Sequence, residues 1–256
     1  MRYNDYVKSP LNYTGGKYKL LNNIITTFPS EIKNFVDLFA GGLNVGINVD
    51  AKNIYVNDHI TYLIELYEYF TNTPIDRLLS EINNEIAKYS LSDTNADGYL
   101  KLRKEYNNNK NILHLFILTC YSFNHQIRFN NKHEFNTPFG KARSSFNSSI
   151  ENNLIAFTKA LQTKNIIFSN EDFLSFDFDI LKSEDLVYCD PPYLISNGSY
   201  NDGKRGFKDW TEQEEFQLLN LLDEINDQNI KFALSNVFYH KGASNKMLLE
   251  WSKKYQ

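Results

Sequence analysis

Cysteine is nearly absent: Cys120 and Cys189 are the only two in 256 residues, too few for a disulfide framework or a cysteine-built zinc cluster. A reduced, cytoplasmic setting follows by default. Long apolar runs are missing too, and none reaches the length that spans a bilayer, so no membrane partner is expected. The opening residues, Met1-Arg2-Tyr3-Asn4-Asp5-Tyr6, are polar and do not form a signal peptide. No internal repeat or low-complexity tract occurs, and no cluster of metal-ligating residues stands out, so no metal is expected. Overall positive charge is lacking as well: the formal charge is -4, which by itself argues mildly against a nucleic-acid partner.

What is present is ordinary for a globular chain, with 42% hydrophobic and 23% charged residues. The length suffices for one large α/β core, or for a core plus a smaller module. Charge is unevenly spread. Between residues 101 and 150 there are eight Lys or Arg against only Glu105 and Glu134. A basic face of that kind supplies the phosphate-dependent part of DNA affinity, although a solvated helix-and-loop surface has the same composition.

Elements alternate along much of the chain. Gly15-Gly16 makes a flexible turn, and Lys17 opens an amphipathic helix through Leu20, Leu21, Ile24 and Ile25 that ends near Pro29. Asn34 to Phe39 reads as a short buried strand running into Ala40-Gly41-Gly42-Leu43, with a helix starting near Leu43. Asn53 to Asn57 is a second strand with Asp58 at its tip, placed either to hold ribose hydroxyls or to cap the following helix. Residues 61–125 read as helical and interrupt the alternation. Residues 124–149 then interleave Arg, Lys, Asn, Gln and Phe with few aliphatics, side chains suited to phosphates, base edges and stacking. Beyond a helix near Asn152 to Leu161, Asn165 to Phe168 is a strand. Asp172 and Phe173 at its end could flank a cofactor ring, or simply cap and pack. Residues 194–209 read as a mobile loop over a site. Trp210 to Ile225 reads as an amphipathic helix, Ile230 to Ser235 as a strand and Ser244 to Tyr255 as a short closing helix.

One stretch carries the most chemistry. Leu186 to Cys189 is an apolar strand that runs into Asp190-Pro191-Pro192-Tyr193. Proline cannot donate to a sheet ladder, so Pro191 ends the strand and Pro192 stiffens the turn. Asp190 therefore sits at a strand's carboxyl end, where open α/β sheets bind ligands. A carboxylate beside an aromatic face suits an exocyclic amine on a flat heterocycle.

Three landmarks thus stand in one order: Tyr13-Thr-Gly-Gly-Lys17, Asp37-Leu-Phe-Ala-Gly-Gly42 and Asp190-Pro-Pro-Tyr193. Together with Asn136-Thr-Pro-Phe-Gly140 and Ser235-Asn236, they resemble the Dam-like, α-group DNA adenine N6-methyltransferases of restriction-modification systems and phages, over nearly the whole chain. The resemblance implies a Rossmann-like α/β methyltransferase fold that uses S-adenosylmethionine. Residues 1–60 and 151–256 would form the catalytic domain and 61–150 an inserted helical target-recognition module. Asp190, Pro191, Pro192 and Tyr193 would be catalytic. Asp190 and the Pro191 carbonyl would accept hydrogen bonds from the adenine amine, with Tyr193 stacked on the extruded base. The cofactor would be bound by Tyr13, Lys17, Asp37, Phe39, Gly41, Gly42, Asp58, Asp172, Phe173 and Asp190. DNA contacts would come from Asn124, Arg128, Lys132, Asn136, Lys141 and Arg143.

Two departures accompany the resemblance. Leu43 stands where the last glycine of the family's Phe-x-Gly-x-Gly motif is expected. The chain also ends at Gln256 where the family continues with two more strands, so the last two sheet strands are expected to be missing. The expected activity is methyl transfer to adenine N6 in double-stranded DNA, as the modification enzyme of a restriction-modification system. The cognate endonuclease would be a genetic partner rather than a physical one, and the protein a monomer. Two alternatives stand beside this. One is a truncated, inactive DNA-binding or regulatory relative. The other is methylation of a different amine such as cytosine N4, against which Asp190 speaks, since Ser is common there in the cytosine group.

Overall fold

The computed structural model describes residues 6–195 and 210–255. In chain order its elements are helix α1 (Leu21–Ile25), strands β1 (Asn34–Asp37) and β2 (Asn53–Asn57), and helices α2 (Thr61–Asn72), α3 (Ile75–Lys88), α4 (Ala96–Asn109), α5 (Ile112–Tyr121) and α6 (Ser148–Thr163). Strands β3 (Ile166–Ser169) and β4 (Leu186–Cys189), helix α7 (Glu212–Asp227), strand β5 (Lys231–Leu234), the hairpin β6 (Tyr239–His240) and β7 (Ala243–Ser244), and helix α8 (Lys246–Trp251) follow. The first five strands form one parallel sheet in the order β3-β2-β1-β4-β5. The protein is thus mixed α/β with a parallel central sheet.

Both faces of the sheet are covered, which is why β1 and β4 are buried at every position rather than at alternate ones. Side chains leave β1 and β4 on opposite faces in turn. Phe35, Leu186 and Tyr188 join one apolar cluster with residues of α2, α5 and α6. Val36, Val187 and Cys189 join another with Leu218, Leu222 and Ile225 of α7. The amino ends of four strands are tied by a ladder of amides. Asn165 donates to Asn53 and Asn53 to Asn34, each at 2.6 Å, and Asn34 donates to Asp185 at 2.9 Å. Helix starts follow the usual capping chemistry: Asn95, Asn111, Asn147 and Asn245 accept backbone N–H groups of α4, α5, α6 and α8, and Thr211 with Glu214 forms a capping box on α7.

Several local expectations change. The amphipathic helix expected from Lys17 to Pro29 is a 3-10 turn, Tyr18–Leu20, and the five-residue α1. No α-helix starts near Leu43; a 3-10 turn, Gly46–Asn48, stands there instead. Asn44 and Asn48 spend their side chains on backbone groups of residues 7, 9 and 44, and that competition keeps the stretch out of regular helix. Asp58 does not cap α2: Ile60 holds the cap position, and Asp58 bonds Ile60 N–H and Gly41 N–H. The stretch 124–149 is richer in core than its composition suggested. Phe129 and Phe135 are 0% and 1% exposed and pack edge to face at 5.8 Å. The loop expected over the site, residues 194–209, lies outside the described residues from 196 onward. Cys120 and Cys189 are buried free thiols, and among the described residues no helix is long and apolar enough to cross a membrane.

Candidate active site

Strand β4 delivers the Asp-Pro-Pro-Tyr turn. Leu38 N–H still donates to Tyr188 on one side and Ser235 N–H to Cys189 on the other, so Asp190 is the first residue beyond the ladder. Its carboxylate is engaged twice. The Lys17 ammonium sits 2.5 Å from Oδ2, and the Tyr193 hydroxyl donates to Oδ1 at 3.2 Å. The same ammonium donates to the Gly15 carbonyl at 2.9 Å and lies 5.2 Å from the centre of the Tyr193 ring. Lys17 is only 8% exposed. Burial raises the Asp190 carboxyl above its ordinary range, and the Lys17 charge opposes that rise. Burial beside Asp190 likewise pushes the Tyr193 phenol up.

Strand β1 delivers the glycine turn. Gly41 takes φ +48, a region that costs other residues energy, and a methyl group there would lie 3.0 Å from the Tyr13 ring. Leu43, where a glycine was expected, also takes a positive φ of 53 and is fully buried. The turn is held from three sides. Asp58 accepts Gly41 N–H at 2.8 Å, the Tyr67 hydroxyl of α2 donates to the Gly41 carbonyl, and Tyr13 lies against the glycines. Beneath it, buried Asp37 accepts Gly46 N–H at 2.9 Å. Burial pushes the Asp37 carboxyl up to about 7; the Gly46 N–H opposes this, and the nearby Asp190 and Asp58 charges add to it. Asp58 is raised too, by burial, against the hydrogen bonds from Ile60 and Gly41.

These turns border an open cleft, about 720 Å³ with the solvent at its mouth included, at the carboxyl ends of β1, β2 and β4. Tyr13, Lys17, Asp37, Phe39, Gly41, Gly42, Asp58, Asp190, Pro191, Pro192 and Tyr193 all line it. Asp172 and Phe173 do not. They line an adjoining cavity of about 410 Å³ that shares Phe39, His59 and Pro192 with the cleft and adds Trp210 and Glu214. There Phe39 and Phe173 lie 5.4 Å apart, and the Trp210 indole stands 5.7 Å from each. Sequence reasoning passed over His59, Trp210 and Tyr67. Trp210 carried a signal, an indole just ahead of a capping box, whereas Tyr67 looked like one more apolar residue of α2.

The six residues expected at DNA line neither cavity. Asn124 accepts a hydrogen bond on its carbonyl from Asn12, next to Tyr13, which brings that segment beside the cleft's edge. The Arg143 guanidinium lies over the exposed Phe123 ring at 5.0 Å. Lys132 and Lys141 are exposed, while Arg128 and Asn136 are half-buried and joined through their backbones at 3.0 Å.

A parallel sheet with a cleft across the carboxyl ends of its middle strands, a glycine turn and an acid at the neighbouring strand tip defines a Rossmann-like α/β protein. The chain belongs to the D12 class N6 adenine-specific DNA methyltransferase family, whose sequence model matches residues 13–256. It is 51% identical over 252 residues to the type II methyltransferase M.FokI of Planomicrobium okeanokoites, covering 98% of this chain and 39% of that protein. It is 51% identical over 247 residues to the modification methylase StsI of Streptococcus sanguinis, covering 96% and 38%. The DNA adenine methylase of Escherichia coli K12 is 26% identical over 234 residues, covering 88% and 79%. The chain therefore spans about two fifths of the length of the first two relatives.

Proposed function

We propose that this chain is a methyl-transferring unit that acts on adenine N6 in double-stranded DNA, with S-adenosylmethionine as donor, in the modification arm of a restriction-modification system. The carrying observation is that the Asp190–Tyr193 turn, the Tyr13–Lys17 segment and the Gly41–Asp58 turn share one cleft. Family membership favours adenine over cytosine N4.

The residues fit the donor. The cleft and the aromatic cavity join through Phe39, His59 and Pro192, which suits a long ligand with a polar end and a flat ring. The glycine turn allows close backbone approach, and Tyr13 closes over it. Each Asp58 oxygen already accepts one backbone N–H and keeps a lone pair for a ribose hydroxyl. Phe39, Phe173 and Trp210 suit the purine, with Asp172 at its edge. Bound there, the donor supplies a sulfonium-activated methyl group.

The chain's own work is then placement. Asp190 and the Pro191 carbonyl accept hydrogen bonds from the target amine and return electron density to its nitrogen. In this structure the Lys17 ammonium bonds Oδ2 of Asp190 and the Tyr193 hydroxyl bonds Oδ1, which leaves each oxygen a lone pair for the incoming amine. Tyr193 offers its ring to the base, which must leave the duplex to reach the cleft, and stacking recovers part of the unstacking cost of a few kcal/mol. Residues 61–150 serve as the target-recognition module, with Asn124, Arg128, Lys132, Asn136, Lys141 and Arg143 toward DNA.

The test is incubation with duplex DNA and labelled donor, followed by nucleoside analysis and long-read mapping of methylated positions. N6-methyladenine in one sequence context is expected. Asp190→Ala should abolish transfer while duplex affinity persists. Near-normal turnover by that variant would reject the assignment, and a wild-type chain that binds neither donor nor DNA would favour an inactive relative.

A further inference from the structure

We infer that Glu215 is a positioning residue that holds the Trp210 indole as one wall of the aromatic cavity; this rests on the reading of that cavity as the seat of the donor's purine. Glu215 stands on α7 and is 0% exposed. Its oxygens accept from three neutral groups: Trp210 Nε1 at 2.7 Å, Asn236 Nδ2 at 3.1 Å and Asn245 Nδ2 at 2.6 Å. A buried carboxylate is costly to keep where only space must be filled. Among the common side chains only a carboxylate accepts on both oxygens and donates nothing. Three donors converging from three separate segments require that property. Glutamine would turn an NH2 group toward one of them.

Of the three donors, Trp210 lines the cavity. Trp210 meets Phe39 at 82° and Phe173 at 45°, both 5.7 Å away, and its N–H donates to Glu215. Asn236 lies in the segment after β5, and Asn245 caps α8 through Leu248 N–H. Glu215 thus fixes the indole against the two phenyl rings and ties that wall to the segment after β5 and to the start of α8.

The test uses the full chain with Trp251→Phe, so that emission reports Trp210, and S-adenosylhomocysteine as the probe. Glu215→Gln should weaken probe binding about tenfold, the effect of one buried donor left unpaired. The Trp210 emission should shift to the red, and KM for the donor should rise more than kcat falls. Affinity for duplex DNA without donor should stay unchanged. Trp210→Phe keeps one aromatic ring but removes the pyrrole ring together with its N–H, and should weaken the probe by a similar factor. The double variant should then lose about tenfold rather than the hundredfold of independent effects. Unchanged probe affinity in Trp210→Phe, or full additivity, would overturn the inference. Should Glu215→Gln not fold, unchanged probe affinity in Trp210→Phe still overturns the inference. Failure of the Trp251→Phe parent to bind the probe would instead strike the cofactor reading itself, and the inference with it.

Discussion

Replacing Lys17 by Met tests the electrostatics of the site most directly. The Lys17–Asp190 pair is close, at 2.5 Å, and its side chains are 9% and 18% exposed. Removing one partner of a buried pair typically costs about 3–5 kcal/mol, because the remaining charge is left desolvated and alone. Asp190 keeps the Tyr193 hydroxyl and some exposure, so the lower end, about 3 kcal/mol, is expected. For a chain of this size that lowers Tm by about 6–12 °C. The loss must depend on pH. Burial already raises the folded Asp190 carboxyl and Lys17 holds it down, so losing Lys17 raises it further. The folded variant then binds a proton that the unfolded chain releases, and its stability falls as pH rises through that range. At acid pH, where Asp190 is protonated in both proteins, the difference should shrink. Urea denaturation from pH 4 to pH 9, together with single-turnover methyl transfer, measures both effects. A Lys17→Met protein as stable as the parent at pH 8, with an unchanged pH profile, would refute the reasoning.

Other consequences are open to the same methods. Asp37 titrates near 7 in the folded protein against an ordinary 3.8, so its ionisation costs stability that is lost as pH rises from about 4 to 7. Asp37→Asn keeps an acceptor for Gly46 N–H and should be more stable than the parent at pH 8, by on the order of 2–4 kcal/mol, with the gain gone below pH 4 when followed by urea denaturation. Gly41→Ala forces a side chain into φ +48 and against Tyr13; it should cost about 1–2 kcal/mol and weaken donor binding in calorimetry. Asn34→Ala breaks the amide ladder at the far end of the sheet and should cost about 1–3 kcal/mol in denaturation while donor affinity is unchanged.

Much of this architecture is local and so was readable in advance. Val187 to Cys189 is apolar because both faces of its strand are covered, and Pro191 ends the strand because proline has no N–H to give. The acids at positions 58 and 190 follow strands directly, which set them on the ligand side of the sheet without further information. The helix starts at Asn111, Asn147 and Thr211 are set by cap residues that act on the next few amides, although two of those helices were expected near Asn152 and from Trp210. What the chain alone did not reveal depends on pairings between distant segments. Lys17 reads as the opening residue of a helix, yet its ammonium meets an acid 173 positions away because the segment ahead of β1 lies beside β4. Phe129 and Phe135 read as surface aromatics until α2 and α4 pack on them through Tyr62 and Tyr106. Trp210 becomes a cavity wall only when Glu215, Phe39 and Phe173 converge on it. Periodicity and turn chemistry report what a residue does to its near neighbours. Which strand lies beside which is settled by burying the apolar faces all at once, and that packing brings a lysine, three carboxylates and three tyrosines into one cleft.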